Sequence, residues 1–221
     1  MTFDSQQPQW EGRDRFILSK GHACVAVYAL LAEMGFIPHT DLDTYGEDFS
    51  PLMNHISHKV PGVEFSTGAL GHGLSFGVGK ALSAKIKNQT YRVFVLLSDG
   101  EMDEGSNWEA LMFASHHGLA NLTAIIDYNN LQSLDTVANT LSLEPLVEKL
   151  TAFGCHVLEI DGHDHVQIEA AFHHKSLQPT VILAHTTKGK GVSFMENAVA
   201  WHYKNPNDEQ LVLALSELLD A

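Results

Sequence analysis

The stretch LLSDGEMDEGSNWEALMFASHHGLANLTAIIDYNNLQS, Leu96 to Ser133, decides the fold class. It opens on the end of an apolar run, YRVFVLL (91–97), that halts at Ser98-Asp99-Gly100. A helical pattern over 104–118 follows, and a second β-rich run, LTAIID (122–127), leads to Asn129-Asn130. Continuous apolar strands joined through a helix are the mark of a parallel sheet covered on both faces. Working outward, CHVLEID (155–161) and TVILAH (180–185) read as two more strands, alternating with helical patterns over 144–153 and 164–175. HACVAVYALLAEMG (22–35) and LSFGVGKALSAKIKN (74–88) read as helices before them. NDEQLVLALSELLD (207–220) reads as a last helix, with Asn207 or Asp208 as N-cap and Leu211, Val212, Leu215, Leu218 and Leu219 on one face. The predicted fold is α/β: a doubly wound parallel sheet flanked by helices, one domain over residues 1–221.

Composition narrows the possibilities. A chain of 221 residues that is 44% hydrophobic is long enough for a substantial core. No window holds eighteen uninterrupted apolar residues, and MTFDSQQPQWEGRDRF lacks the regions of a signal peptide, so no membrane association is expected. Cys24 and Cys155 sit far apart in apolar surroundings and read as free thiols of a reducing, cytoplasmic compartment. The net charge of −14 opposes unspecific nucleic-acid binding. It also means that a phosphorylated ligand requires local donors or a metal. The fourteen histidines show no tight metal-ligand spacing; His116-His117 and His173-His174 are adjacent pairs, which point to different faces of a helix.

In doubly wound sheets ligands sit beyond the carboxyl ends of the strands. Asp99 and Asn129 both stand at such ends, in strands joined by one helix, which places them side by side. Either alone reads as a turn residue. As a pair they suit a hard cation such as magnesium, which takes oxygen ligands and completes its shell with phosphate and water. Gly100 lets a diphosphate approach the backbone, and the N-terminus of helix 104–118 favours its charge. The glycines near Gly71 match a dinucleotide fingerprint poorly, because Gly71-x-Gly73 is followed by Gly77, one residue late.

SDGEMDEG…DYNN (98–130) resembles the thiamine-diphosphate motif, and the likeness extends over most of the chain to the amino-terminal, pyrophosphate-binding half of transketolase. RDRFILSKGHA (13–23), VPGVEFSTGALGHGLSFGVGKAL (60–82), LEPLVEKLTAFGCHVLEIDGHDH (143–165) and PTVILAHTTKGKGVSFMENAVAWH (179–202) carry it in order. The resemblance implies thiamine diphosphate and magnesium (or calcium) as cofactors. Asp99, Asn129 and the Leu131 carbonyl become the metal ligands, and Asn129 also lines the cofactor. Ser98, standing where the motif has glycine, and Gly100 line the diphosphate, and the backbone at Gly68 and Leu70 contacts the aminopyrimidine. His22, His55 and His202 become catalytic residues that exchange protons with the sugar, a role open to neutral imidazoles. The segment after His55, ISHKV, departs from the family's usual His-Pro-Asp turn. Glu104, counted with the cofactor-binding residues, matches a buried glutamate of a hydrogen-bond network across the subunit interface, which Glu109 extends; Glu101 and Asp103 read as solvated turn residues. His163 reads as a structural cap beside Asp161, and Lys188–Gly191 as a turn.

The activity implied is transfer of a two-carbon ketol unit from a ketose phosphate to an aldose phosphate. The family's pyrimidine-binding domain has no counterpart in this sequence, so the resemblance implies a split enzyme. A separate carboxy-terminal subunit would complete a heterotetramer acting on sugar phosphates. Twelve residues precede Arg13, which implies a domain shortened at its N-terminus. Two alternatives stand beside this reading: a related ketol or acyl transferase for an unusual sugar or a carrier protein, and a non-catalytic paralogue.

Overall fold

The computed structural model describes residues 1–219; Asp220, at the end of the predicted last helix, lies outside them. Five strands, β1 (Arg15–Leu18), β2 (Val93–Ser98), β3 (Leu122–Tyr128), β4 (His156–Asp161) and β5 (Thr180–His185), form one sheet in the order β1-β2-β3-β5-β4. All four pairings are parallel. Seven helices accompany them among the described residues: α1 (Cys24–Glu33), α2 (Gly73–Ile86), α3 (Gly105–His116), the single turn α4 (Val137–Thr140), α5 (Leu146–Ala152), α6 (His165–His173) and α7 (Asp208–Leu219). The four strands expected from sequence are present, with ends shifted by at most two residues. The edge strand β1 is an addition to them: RFIL is only four residues long and begins with an arginine.

Strand alternation divides the side chains between two faces. Ile17, Val95, Ala124 and Val181 align across the sheet on one side. They are buried with Leu74, Val78, Ala81 and Ala84 of α2, Leu111 and Ala114 of α3, and Leu146 and Leu150 of α5. On the other face Leu18 joins a second cluster with Val27, Tyr28 and Leu31 of α1, and Phe172 of α6 meets Phe94 edge-on at 5.7 Å. Right-handed crossovers explain this division. The connections that advance across the sheet lay α2, α3 and α5 on one side, and the reversed step from β4 to β5 lays α6 on the other. The second face is less completely filled. A cavity of about 510 Å³ lies there between α1 and α6, lined by Phe16, Phe36, Phe94, Ile125 and Phe172 among others.

Local signals set the helix ends. Asp164 caps α6 by accepting from the amides of Val166 and Gln167. Asn207 caps α7: its side chain accepts from the Gln210 amide at 2.8 Å, and the Gln210 side chain accepts from the Asn207 amide at 3.1 Å. Gly118, at φ +54°, follows the last turn of α3, where a left-handed residue closes the helix. The leucine face of α7 is exposed, with only Ala214 buried. Among the described residues no helix is long and apolar enough to cross a membrane.

Candidate active site at the strand carboxyl ends

The register Ser98↔Asp127 between β2 and β3 brings the residues that follow both strands together. The Asn129 amide donates to Asp99 Oδ2 at 3.0 Å, and the Gly100 amide donates to Asp99 Oδ1 at 2.7 Å. Asn129 Oδ1 accepts from the Leu131 amide at 3.0 Å, with Asn130 turning the chain at φ +62°. Asp99, Asn129 and Leu131 are thus neighbours. Asp99 is only 1% exposed. Burial pushes its carboxyl up to about 6, the Gly100 and Asn130 amides oppose that, and the nearby charge of Asp127 adds to it. Two carboxylates this close at a buried strand end favour a cation.

Part of that cation is supplied by the chain itself. Lys20, following β1, reaches Asp127 with Nζ 2.6 Å from Oδ2, and Thr186, following β5, donates to Asp127 Oδ1 at 2.5 Å. Burial opposes ionisation of Asp127, but the Lys20 ammonium holds its carboxyl below the usual range. Lys188 also faces this group: burial and the Lys20 charge lower its pKa, while Asp127 and Asp99 raise it. Lys20 and Asp127 are not among the residues that sequence reasoning singles out, and Lys188 reads there more simply as part of a turn than as a contact to an acceptor. The turn is real, but its first side chain belongs to the site. The available signal was Lys20 inside SKGH and an aspartate closing an apolar strand.

The three predicted histidines converge on the same rim. The rings of His22 and His202 lie 5.3 Å apart. His55 borders the 66–73 loop, where a Cβ on Gly68 would stand 3.1 Å from His55 Cδ2. The His22 ring keeps an exposed side, but partial burial, together with the charges of Lys20, His202, His55 and Lys188, lowers its pKa to about 4. Burial, Lys188 and Lys20 lower that of His202 as well. Both rings are therefore neutral at neutral pH. Gly68 and Leu70 lie in a loop tied to the end of β1, since Thr67 Oγ1 donates to the Leu18 carbonyl at 2.6 Å. His72 Nδ1 lies 2.9 Å from the Leu70 carbonyl oxygen, so its ring serves the loop's own backbone.

The acidic turn differs from expectation. Glu101 is fully buried and not solvated, and one oxygen of Asp103 is shut off from water. The cause is the 3-10 turn Gly100–Asp103, which rolls Glu101 beneath the 66–73 loop. Glu104 and Glu109, by contrast, are exposed in this chain. Ser98 is buried, and its hydroxyl oxygen accepts from the Glu101 amide at 3.2 Å. His163 is structural as expected: its amide donates to Asp161, and its Nε2 accepts from the Thr187 amide at 2.7 Å.

The oxygen donors at Asp99 and Asn129 fit a hard cation. Among the described residues no three His, Cys, Asp or Glu side chains converge as a cage, so such an ion would complete its shell with ligand oxygens. The cavity between α1 and α6 contains none of the site residues named here. Fold and site together define a doubly wound domain that gathers two carboxylates, an amide, two lysines and three histidines at the carboxyl ends of its strands.

Comparison with known proteins agrees. Residues 1–216 match the family described as "Transketolase, thiamine diphosphate binding domain", and the chain belongs to that transketolase family. It is 45% identical over 215 residues to one of the apulose-4-phosphate transketolase subunits of Phocaeicola vulgatus, covering 96% of this chain and 76% of that protein. It is 39% identical over 222 residues to 6-deoxy-6-sulfo-D-fructose transketolase subunit SqwG of Clostridium sp., covering 99% and 81%. Among solved structures, transketolase from Campylobacter jejuni superposes with a TM-score of 0.95 at 30% identity. That match covers 99% of this chain but 36% of the Campylobacter chain, so this chain spans about a third of it.

Proposed function

We propose that this chain is the amino-terminal subunit of a split transketolase that uses thiamine diphosphate and magnesium to move a two-carbon ketol unit from a ketose to an aldose. The observation that carries the reading is the juxtaposition of Asp99 and Asn129 at adjacent strand ends, with Lys20, Lys188 and the three histidines on the same rim. Asp99, Asn129 and the Leu131 carbonyl would hold the magnesium, Ser98 and Gly100 would line the diphosphate, and the backbone at Gly68 and Leu70 would meet the pyrimidine. Thiamine diphosphate, when bound, supplies the nucleophilic carbon and the electron sink.

The chain's own residues would position and polarise the sugar. Neutral His22 and His202 can hold or take a proton at a sugar oxygen, with His55 beside them. Lys20 and Lys188 offset the negative charge that Asp99, Asp127 and a diphosphate would concentrate there. Relatives whose names make them single subunits of transketolases support a separate partner subunit; in this reading it supplies the pyrimidine-binding half, in a heterotetramer. Names that refer to apulose 4-phosphate and 6-deoxy-6-sulfofructose favour an uncommon ketose as donor.

Calorimetric titration of thiamine diphosphate into the co-purified complex tests the reading. Magnesium-dependent binding is expected, with Asp99→Ala abolishing the magnesium dependence. Turnover of a ketose by this chain alone would refute the split arrangement, and unaltered affinity in Asp99→Ala would remove the ligand role.

A further inference from the structure

Glu101 has no part in the reading above, yet it is 0% exposed and joins segments far apart in sequence. Its Oε1 accepts from Ser19 Oγ at 2.6 Å and from the Gly71 amide at 2.9 Å. Its own amide donates to Ser98 Oγ, and its carbonyl accepts from Asn107 Nδ2 at 2.7 Å. Further along the same segment, Ser106 Oγ donates to the Gly71 carbonyl at 2.7 Å. Both backbone polar groups of Gly71 are therefore gripped by the segment that begins at Asp99. The approach is close: Gly71 has φ +80°, and a Cβ there would lie 2.5 Å from Ser106 Oγ and 2.7 Å from Glu104 Cβ. Only glycine fits.

We propose that Glu101 and Ser106 are positioning residues, a two-point clamp on Gly71 that fixes the 66–73 loop relative to Asp99. The loop carries Gly68 and Leu70, and the turn carries Asp99, so the clamp sets the spacing between the two ends of the cofactor site before any ligand arrives. That consequence for the cofactor rests on the proposed function; the clamp does not. A buried carboxylate is costly, and here it is retained as an acceptor long enough to reach Ser19 and Gly71 together. Glutamine keeps Oε1 and the same reach, whereas alanine leaves the Gly71 amide buried without a partner.

Hydrogen–deuterium exchange on the full chain tests the clamp. In Glu101→Ala, peptides covering 68–73 are expected to exchange at least about tenfold faster, while those of β2, β3 and β5 keep their protection. Glu101→Gln is expected to stay within about threefold of the native rate. Unchanged exchange in Glu101→Ala, or Glu101→Gln as fast as Glu101→Ala, overturns the proposal. Should Glu101→Ala fail to fold, Ser106→Ala removes the second grip alone: faster exchange at 68–73 supports the clamp, and no change overturns it. In the complex with its partner, Glu101→Ala is also expected to weaken thiamine diphosphate binding about tenfold, with Glu101→Gln restoring it. Absence of cofactor binding by the native complex would remove the proposed function and leave the exchange result to judge the clamp by itself.

Discussion

Removing Lys20 isolates the electrostatic centre of the site. Lys20 Nζ lies 2.6 Å from Asp127, and the two side chains are 11% and 27% exposed. Breaking a fully buried pair by removing one partner costs about 3–5 kcal/mol, because the other charge stays desolvated. Asp127 retains some water and the Thr186 hydroxyl, so Lys20→Met is expected to cost about 2–3 kcal/mol. For a chain of this size that lowers Tm by about 4–12 °C. Asp127→Asn keeps the Thr186 partner and strands the Lys20 ammonium instead, at a similar cost. The double variant leaves no unpaired charge and should be more stable than the summed single costs by about 2 kcal/mol. Urea unfolding of the four proteins, followed by tryptophan fluorescence, completes the cycle. Additivity within about 0.5 kcal/mol would show that the two charges do not depend on each other and would refute the reasoning.

Three further outcomes are expected. Leu111→Ala, at a side chain 1% exposed between α3 and the sheet, should destabilise by about 2–5 kcal/mol in chemical unfolding. Asn207→Ala removes the cap of α7 and should cost about 1 kcal/mol, read as a small fall in the urea midpoint. The His22 pKa of about 4 lies below its ordinary 6.5, so the folded state binds fewer protons between those values. Its share of stability is complete above a pH of about 6.5 and lost as pH falls towards 4, in part only, because solvent on the open side of the ring screens the effect. His22→Gln should therefore flatten the decline of Tm across that window, and an unchanged decline would count against the assignment.

The layout of the domain was legible because it depends on local chemistry. Apolar runs of strand length, separated by helical patterns and ended by Asp99-Gly100 and Asn129-Asn130, specify parallel strands whose carboxyl ends carry oxygen-bearing side chains. Capping chemistry likewise announced a helix start at Asn207 or Asp208, of which Asn207 holds the cap, and the order of the sequence blocks pointed to the family. Short β1 escaped because four residues beginning with arginine carry too little periodicity.

What the sequence by itself determined was the alternation of elements and the strand ends at which Asp99 and Asn129 stand. The tertiary structure alone decided which charges are neutralised and which acids are buried. Lys20 and Asp127 stand 107 positions apart and meet only because β1, β2 and β3 lie side by side. Glu101 resembles the exposed Glu104 in composition but is turned inward by one 3-10 turn and received by Ser19 and Gly71. Burial and pairing are properties of distance in space, and a carboxylate's neighbours along the chain carry no record of them.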